Sequence, residues 1–116
     1  MPRRSRSEAG MVTVEAALAV AALAVVLGLV LAAIGAVTDQ LRCTDAAREA
    51  ARLTARGEPD RARAAAQQIA PNGARISISQ DGDAISVQVT VTPVGGLLPG
   101  VILRGHAYAV AEPQTP

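Results

Sequence analysis

The sequence contains no phenylalanine, no tryptophan and no lysine, and only one tyrosine (Tyr108), one cysteine (Cys43) and one histidine (His106). Each shortage excludes something. Globular cores usually draw bulk from aromatic side chains, so an apolar fraction of 50% without them comes from concentrated Ala, Val, Leu and Ile. One cysteine cannot close an internal disulfide, and one histidine beside it excludes a Cys/His zinc site. Eleven arginines against ten acids leave a net charge of +1, without the basic excess that nucleic-acid binding requires. A chain of 116 residues allows at most one small domain.

What the chain has in excess is one apolar run. From Ala16 to Val37 it reads AALAVAALAVVLGLVLAAIGAV, with no charged or strongly polar side chain. At 1.5 Å per residue these 22 positions make a helix of roughly 33 Å, enough to cross a hydrocarbon core of ~30 Å. So small a domain has too little other protein to enclose such a helix as a core element. A cleavable secretory signal usually has an apolar region of about 7–15 residues, shorter than this one, although Ala33-Ile34-Gly35 offers a small-x-small site. The run therefore reads as a retained membrane helix. Arg3, Arg4 and Arg6 precede it, and positive flanks stay cytoplasmic. The expected topology is a single pass through the cytoplasmic membrane with the C-terminal body outside.

The junction MPRRSRSEAG-MVTVEAALAV carries two unusual residues: Gly10 at the edge and Glu15 just inside the apolar helix. A charge near the bilayer centre costs about 2.5–3.5 kcal/mol on insertion scales, and less near an interface. Taken alone, Glu15 reads as an interfacial carboxylate that snorkels, near a helix N-terminus whose dipole favours an anion. A cut after Gly10 would change its meaning. Met11 would carry a new ammonium group, and Glu15 would be the fifth mature residue, one helical turn on and on the same face. Its carboxylate could neutralise that amine or the amine of a neighbouring copy. Glycine before the cut leaves the backbone open to a peptidase at the membrane surface.

A short basic leader, a glycine and an apolar helix with Glu as its fifth residue resemble the class III signal of type IV prepilins, over Met1 to about Val37. The resemblance implies cleavage between Gly10 and Met11 by a prepilin peptidase, N-methylation of Met11 and a subunit-registering role for Glu15. Two departures stand out. Met11 occupies a position where major pilins more often have Phe, and Ala16 replaces the Tyr that follows Glu in short Flp pilins.

Beyond the membrane the pattern predicts a small α+β body. The helix should continue to about Arg56, where Gly57 and Pro59 end it. Cys43, Ala46, Ala47, Ala50 and Thr54 fall on one stripe; Arg42, Asp45, Glu49, Arg52 and Arg56 fall opposite, with ion-pair spacings at Asp45–Arg48 and Glu49–Arg52. A second short helix is expected from Pro59 to Ile69, ended by Pro71-Asn72-Gly73. Period-two alternation in ARISIS and AISVQVTVT, separated by Asp81-Gly82, predicts a hairpin with Ile76, Ile78, Ile85, Val87, Val89 and Val91 facing inward. After a Pro93–Gly100 loop, VILRGHAYAVA supplies a third antiparallel strand, and Pro113–Pro116 is a frayed tail. The expected organisation is a leader (1–10), a membrane and assembly helix (11–37), its extracytoplasmic continuation (38–56), an α+β body (57–112) and the tail (113–116).

This plan is that of a reduced pilin. CTDAAREAAR and the Glu112-Pro113 pair resemble the TadE-like minor pilins of tight-adherence systems, the actinobacterial versions most of all. That likeness implies a pseudopilin with lipid, a prepilin peptidase, other pilins and pilus platform proteins as partners, and with pili as a second, extracellular location.

Catalysis has little to draw on. Cys43 among alanines reads as a small hydrophobe, although an unpaired cysteine outside the cytoplasm is also a candidate for an intermolecular disulfide. His106 alternates with Arg104 and Tyr108 on a strand and should face solvent. No phosphate-cradling loop, acid/base pair or metal spacing is visible, so no enzyme activity, cofactor, metal or small-molecule substrate is expected. Two alternatives to a pilin stay open: a single-pass anchored protein whose outer domain binds a partner, and a secreted protein cut by ordinary signal peptidase near Gly35.

Overall fold

A computed structural model describes residues 6–92 and 101–113. Arg3, Arg4, the Pro93–Gly100 loop and the last three residues of the tail lie outside them. The fold is α+β, in the order α1 (Arg6–Ala55), α2 (Pro59–Ile69), β1 (Arg75–Asp81), β2 (Ala84–Val91) and β3 (Leu103–Val110). The chain packs as two units, Met1–Ala33 and Ile34–Pro116. The described part of the first is helix alone, with its large apolar side chains exposed.

The second unit is built on a sheet of order β1-β2-β3, antiparallel throughout. Its central strand alternates strictly: Ile85, Val87, Val89 and Val91 are buried, while Ser86, Gln88 and Thr90 are half-buried on the other face. Burying one such Val or Ile contributes roughly 1.5–3 kcal/mol, so β2 anchors the core. The hairpin closes one residue later than the Asp-Gly pair suggests. Asp81 is still paired, with Ala84, and Gly82-Asp83 form the loop, where Gly82 holds φ of 62°.

Against this sheet the helices present alanine. Cys43, Ala46, Ala47, Ala50, Ala51, Leu53, Thr54 and Ala55 are the buried residues of α1, and Ala62 and Ala66 those of α2. The stripe read from the sequence is the buried one, and Arg42, Asp45, Arg52 and Arg56 are exposed opposite it. Gly57 ends α1 with φ of 83°. Its N–H donates to the Thr54 carbonyl at 2.9 Å, and that of Glu58 donates to Leu53 at 3.0 Å, the paired bonds of a Schellman cap. Pro59 then opens α2 at the first helical position, where the missing N–H has no intrahelical partner to lose.

Candidate functional site

The sequence singled out the junction at Gly10, and the structure places it within a helix. α1 is continuous through Gly10, Met11 and Glu15. Met11 and Glu15, four residues apart, share a face and line one shallow hollow with Ser7, Gly10, Val14 and Leu18. Met11 is 72% exposed, and Glu15 is exposed as well. A β-carbon added at Gly10 would meet nothing within 4 Å. One expectation needs correction. The helix begins at Arg6, nine residues before Glu15, and Glu8 is the acid of its first turn. Dipole stabilisation fades within the first turn, so in the uncut chain it does not reach Glu15.

From Met11 to Leu41 the helix exposes Val, Leu and Ile on every side, and none of its most apolar 18-residue window is buried. Inside lipid, where no water is available, a helix has to satisfy its polar groups internally. At its two ends Thr13 and Thr38 do so, each hydroxyl donating to the carbonyl four residues back, Ala9 and Ile34, at 3.0 Å. By length and composition α1 fits a single-pass membrane anchor.

In the body, Cys43 is fully buried. Burial pushes its thiol pKa up, and the Asp39 carboxylate adds to that shift. An enclosed, protonated thiol is a poor nucleophile, so an intermolecular disulfide at Cys43 would require helix and sheet to part. Cys43 is in the core whereas His106 is exposed on the outer face of β3, so the two do not meet. Glu49 and Arg52 pair through two hydrogen bonds, one of 3.0 Å from Nε to Oε2. That bond from Arg52 holds the Glu49 carboxyl below its usual range. No ion pair closes between Asp45 and Arg48; Arg61 pairs with Glu58 at 3.6 Å instead.

No protein-family model and no solved structure matches the chain. Over 99 residues, 85% of this chain and 78% of the other, it is 50% identical to a Mycobacterium tuberculosis protein named apoptosis inhibitor Rv3655c. The chain belongs to that protein's family.

Two residues of the body, Gly105 and Gln40, carry structure that the sequence reading did not single out, and Thr54, placed on the stripe, has an unmet hydroxyl that it did not foresee. Gly105 is buried on β3, and a β-carbon there would lie 2.3 Å from the Cys43 carbonyl carbon and 2.5 Å from the Thr44 nitrogen. Gln40 donates from Nε2 to the Arg104 carbonyl at 2.7 Å, tying the start of β3 to the helix. Thr54, 6% exposed, holds a hydroxyl oxygen with no hydrogen-bond partner. The signal for Gly105 was present: Gly105, Ala107 and Ala109 alternate as small residues on the strand that faces an alanine stripe.

Proposed function

We propose that this chain is a TadE-like minor pilin, processed by a prepilin peptidase and assembled into, or priming, a tight-adherence type IV pilus. The observation that carries the reading is Glu15, a carboxylate one turn beyond Met11 on a helix whose apolar side chains its own fold leaves uncovered. Cleavage after Gly10 supplies what Glu15 lacks in the uncut chain. It moves the helix N-terminus to Met11, adds an ammonium group there, and brings Glu15 within the reach of both. The arginines of the leader, Arg3, Arg4 and Arg6, orient the helix with its N-terminus in the cytoplasm and the body outside.

Function is then physical. The cleaved helix is held in the bilayer as a store of subunits and passes from lipid into a bundle of like helices, its apolar surface dry throughout. Small residues at Gly28, Ala32, Gly35 and Ala36 permit close helix contact. Glu15→Ala is expected to insert and be cleaved normally yet to be depleted from sheared pili. Wild-type amounts of the variant in pili would refute the role given to Glu15.

A second reading takes Ala33-Ile34-Gly35 as a small-x-small signal-peptidase site; the relative's name ascribes inhibition of apoptosis to that protein. On that reading the body acts away from the membrane, after a cut near Gly35. The two separate by location: a minor pilin stays with membranes and pili, whereas the cut form accumulates in medium as a chain beginning near Ala36.

A further inference from the structure

Within the unit Ile34–Pro116 the sheet has two unlike ends. The Gln40–Arg104 hydrogen bond sets the start of β3 beside α1 just past Val37, where the apolar run stops. The backbone contact of Gly105 with Cys43 repeats that placement one turn further on, and the Glu112 N–H reaches the Ala55 carbonyl at 2.9 Å. β3 therefore runs in the same direction as the helix, away from the apolar run. At its start, Val101 and Ile102 are 42% and 54% exposed. Strand register puts Arg75, Thr90 and Arg104 in one row across the sheet there, with both arginines exposed. A cleft of about 350 Å³ opens at the same end, lined by Gly73, Arg75, Thr90, Val91, Thr92 and Ile102. The other end of the strands carries Asp81, Asp83 and Glu112.

We infer that this arginine-bearing end of the sheet docks on the bilayer surface, with Val101 and Ile102 in the interface and Arg75 and Arg104 on anionic lipid phosphates. The occupant follows from two observations. The exposed apolar pair precedes Arg104, which is tied to Gln40, three residues past the end of the apolar run. Along the sheet the charges are sorted, Arg75 and Arg104 at this end and Asp81, Asp83 and Glu112 at the other, while α1 adds Asp39 beside the first and Arg56 beside the second. Threonine hydroxyls at Thr90 and Thr92 and the arginine forks are the donors that phosphate oxygens accept from. Docking would hold the body against the membrane until assembly lifts it away. The inference rests on α1 spanning the bilayer.

The test uses the full chain with Cys43→Ala, reconstituted in phosphatidylcholine vesicles with and without phosphatidylglycerol. A nitroxide is attached singly at Leu29→Cys, Ile102→Cys or Tyr108→Cys, and its collisions with oxygen and with a water-soluble nickel chelate are compared. With phosphatidylglycerol present, the label at 102 should be shielded from nickel and open to oxygen, while that at 108 should collide freely with nickel. Arg75→Gln and Arg104→Gln should each lower the docked fraction about fivefold on the anionic vesicles, from the attraction of one basic residue near a charged surface. Labels at 102 and 108 that are equally open to nickel, with 29 shielded, would overturn docking and leave the membrane helix standing. Nickel access at 29 would overturn the membrane helix and docking together. Shielding at 102 that is indifferent to phosphatidylglycerol and to both arginine variants would overturn the lipid-phosphate assignment.

Discussion

Gly105 of β3 lies so close to the backbone of Cys43 on α1 that a β-carbon built on it would sit 2.3 Å from the Cys43 carbonyl carbon and 2.4 Å from its oxygen. The neighbour is main chain, which has no rotamer to move aside. Helix and strand approach this closely only because the strand carries no side chain at the crossing.

Gly105→Ala must therefore push β3 off the helix. Overpacking of this kind costs about 1–3 kcal/mol; a loss of ~2 kcal/mol lowers the unfolding midpoint of a domain this small by roughly 10 °C. Hydrogen exchange at the Val87 and Val89 amides in detergent micelles should report the loss. Gly28→Ala and Gly35→Ala, where an added β-carbon meets nothing within 4 Å, should leave that exchange unchanged.

Cys43 should resist maleimide in the native protein and react once it is unfolded. The same burial has a pH signature. Its folded pKa is raised, so the stabilising contribution is complete below the unfolded value of about 8.5 and is lost as pH rises through the folded one. Stability should fall above about pH 8.5, and Cys43→Ala should remove that part of the fall. Fast labelling of the folded chain, or a Cys43-linked dimer on a non-reducing gel, would contradict the buried thiol.

Thr54 offers a gain. Its hydroxyl is buried without a partner, and leaving such a group unsatisfied costs about 1–3 kcal/mol. Thr54→Val keeps the shape and removes the polar atom, so the body should gain roughly 1 kcal/mol. The rise in unfolding midpoint measures it, and an unchanged or lower midpoint would mean that the hydroxyl is solvated after all.

Much of this fold was legible because its signals are local. The alternation of Ile85, Val87 and Val89 selects the buried face of β2, and Gly57 followed by Pro59 marks where α1 stops and α2 starts. Those features depend on neighbours in the chain. Gly105, Gln40 and Thr54 act through partners on other elements or through the absence of one, and nothing in their immediate sequence states it. The junction shows the same limit. Gly10 and Glu15 were visible as a motif, but the motif did not reveal that α1 already includes the residues from Arg6, so that a peptidase cutting after Gly10 would have to unwind the turns before Met11. Glycine lowers that barrier, since it costs a helix interior about 0.5–1 kcal/mol relative to alanine.

The most direct measurement is the N-terminal sequence of the protein recovered from cells that carry the cognate prepilin peptidase. The expected chain begins at Met11, and Gly10→Ala, which disturbs nothing around it, should leave the leader attached. A native chain that keeps its arginine-rich leader in assembled pili, or one that begins near Ala36, would contradict the proposed processing.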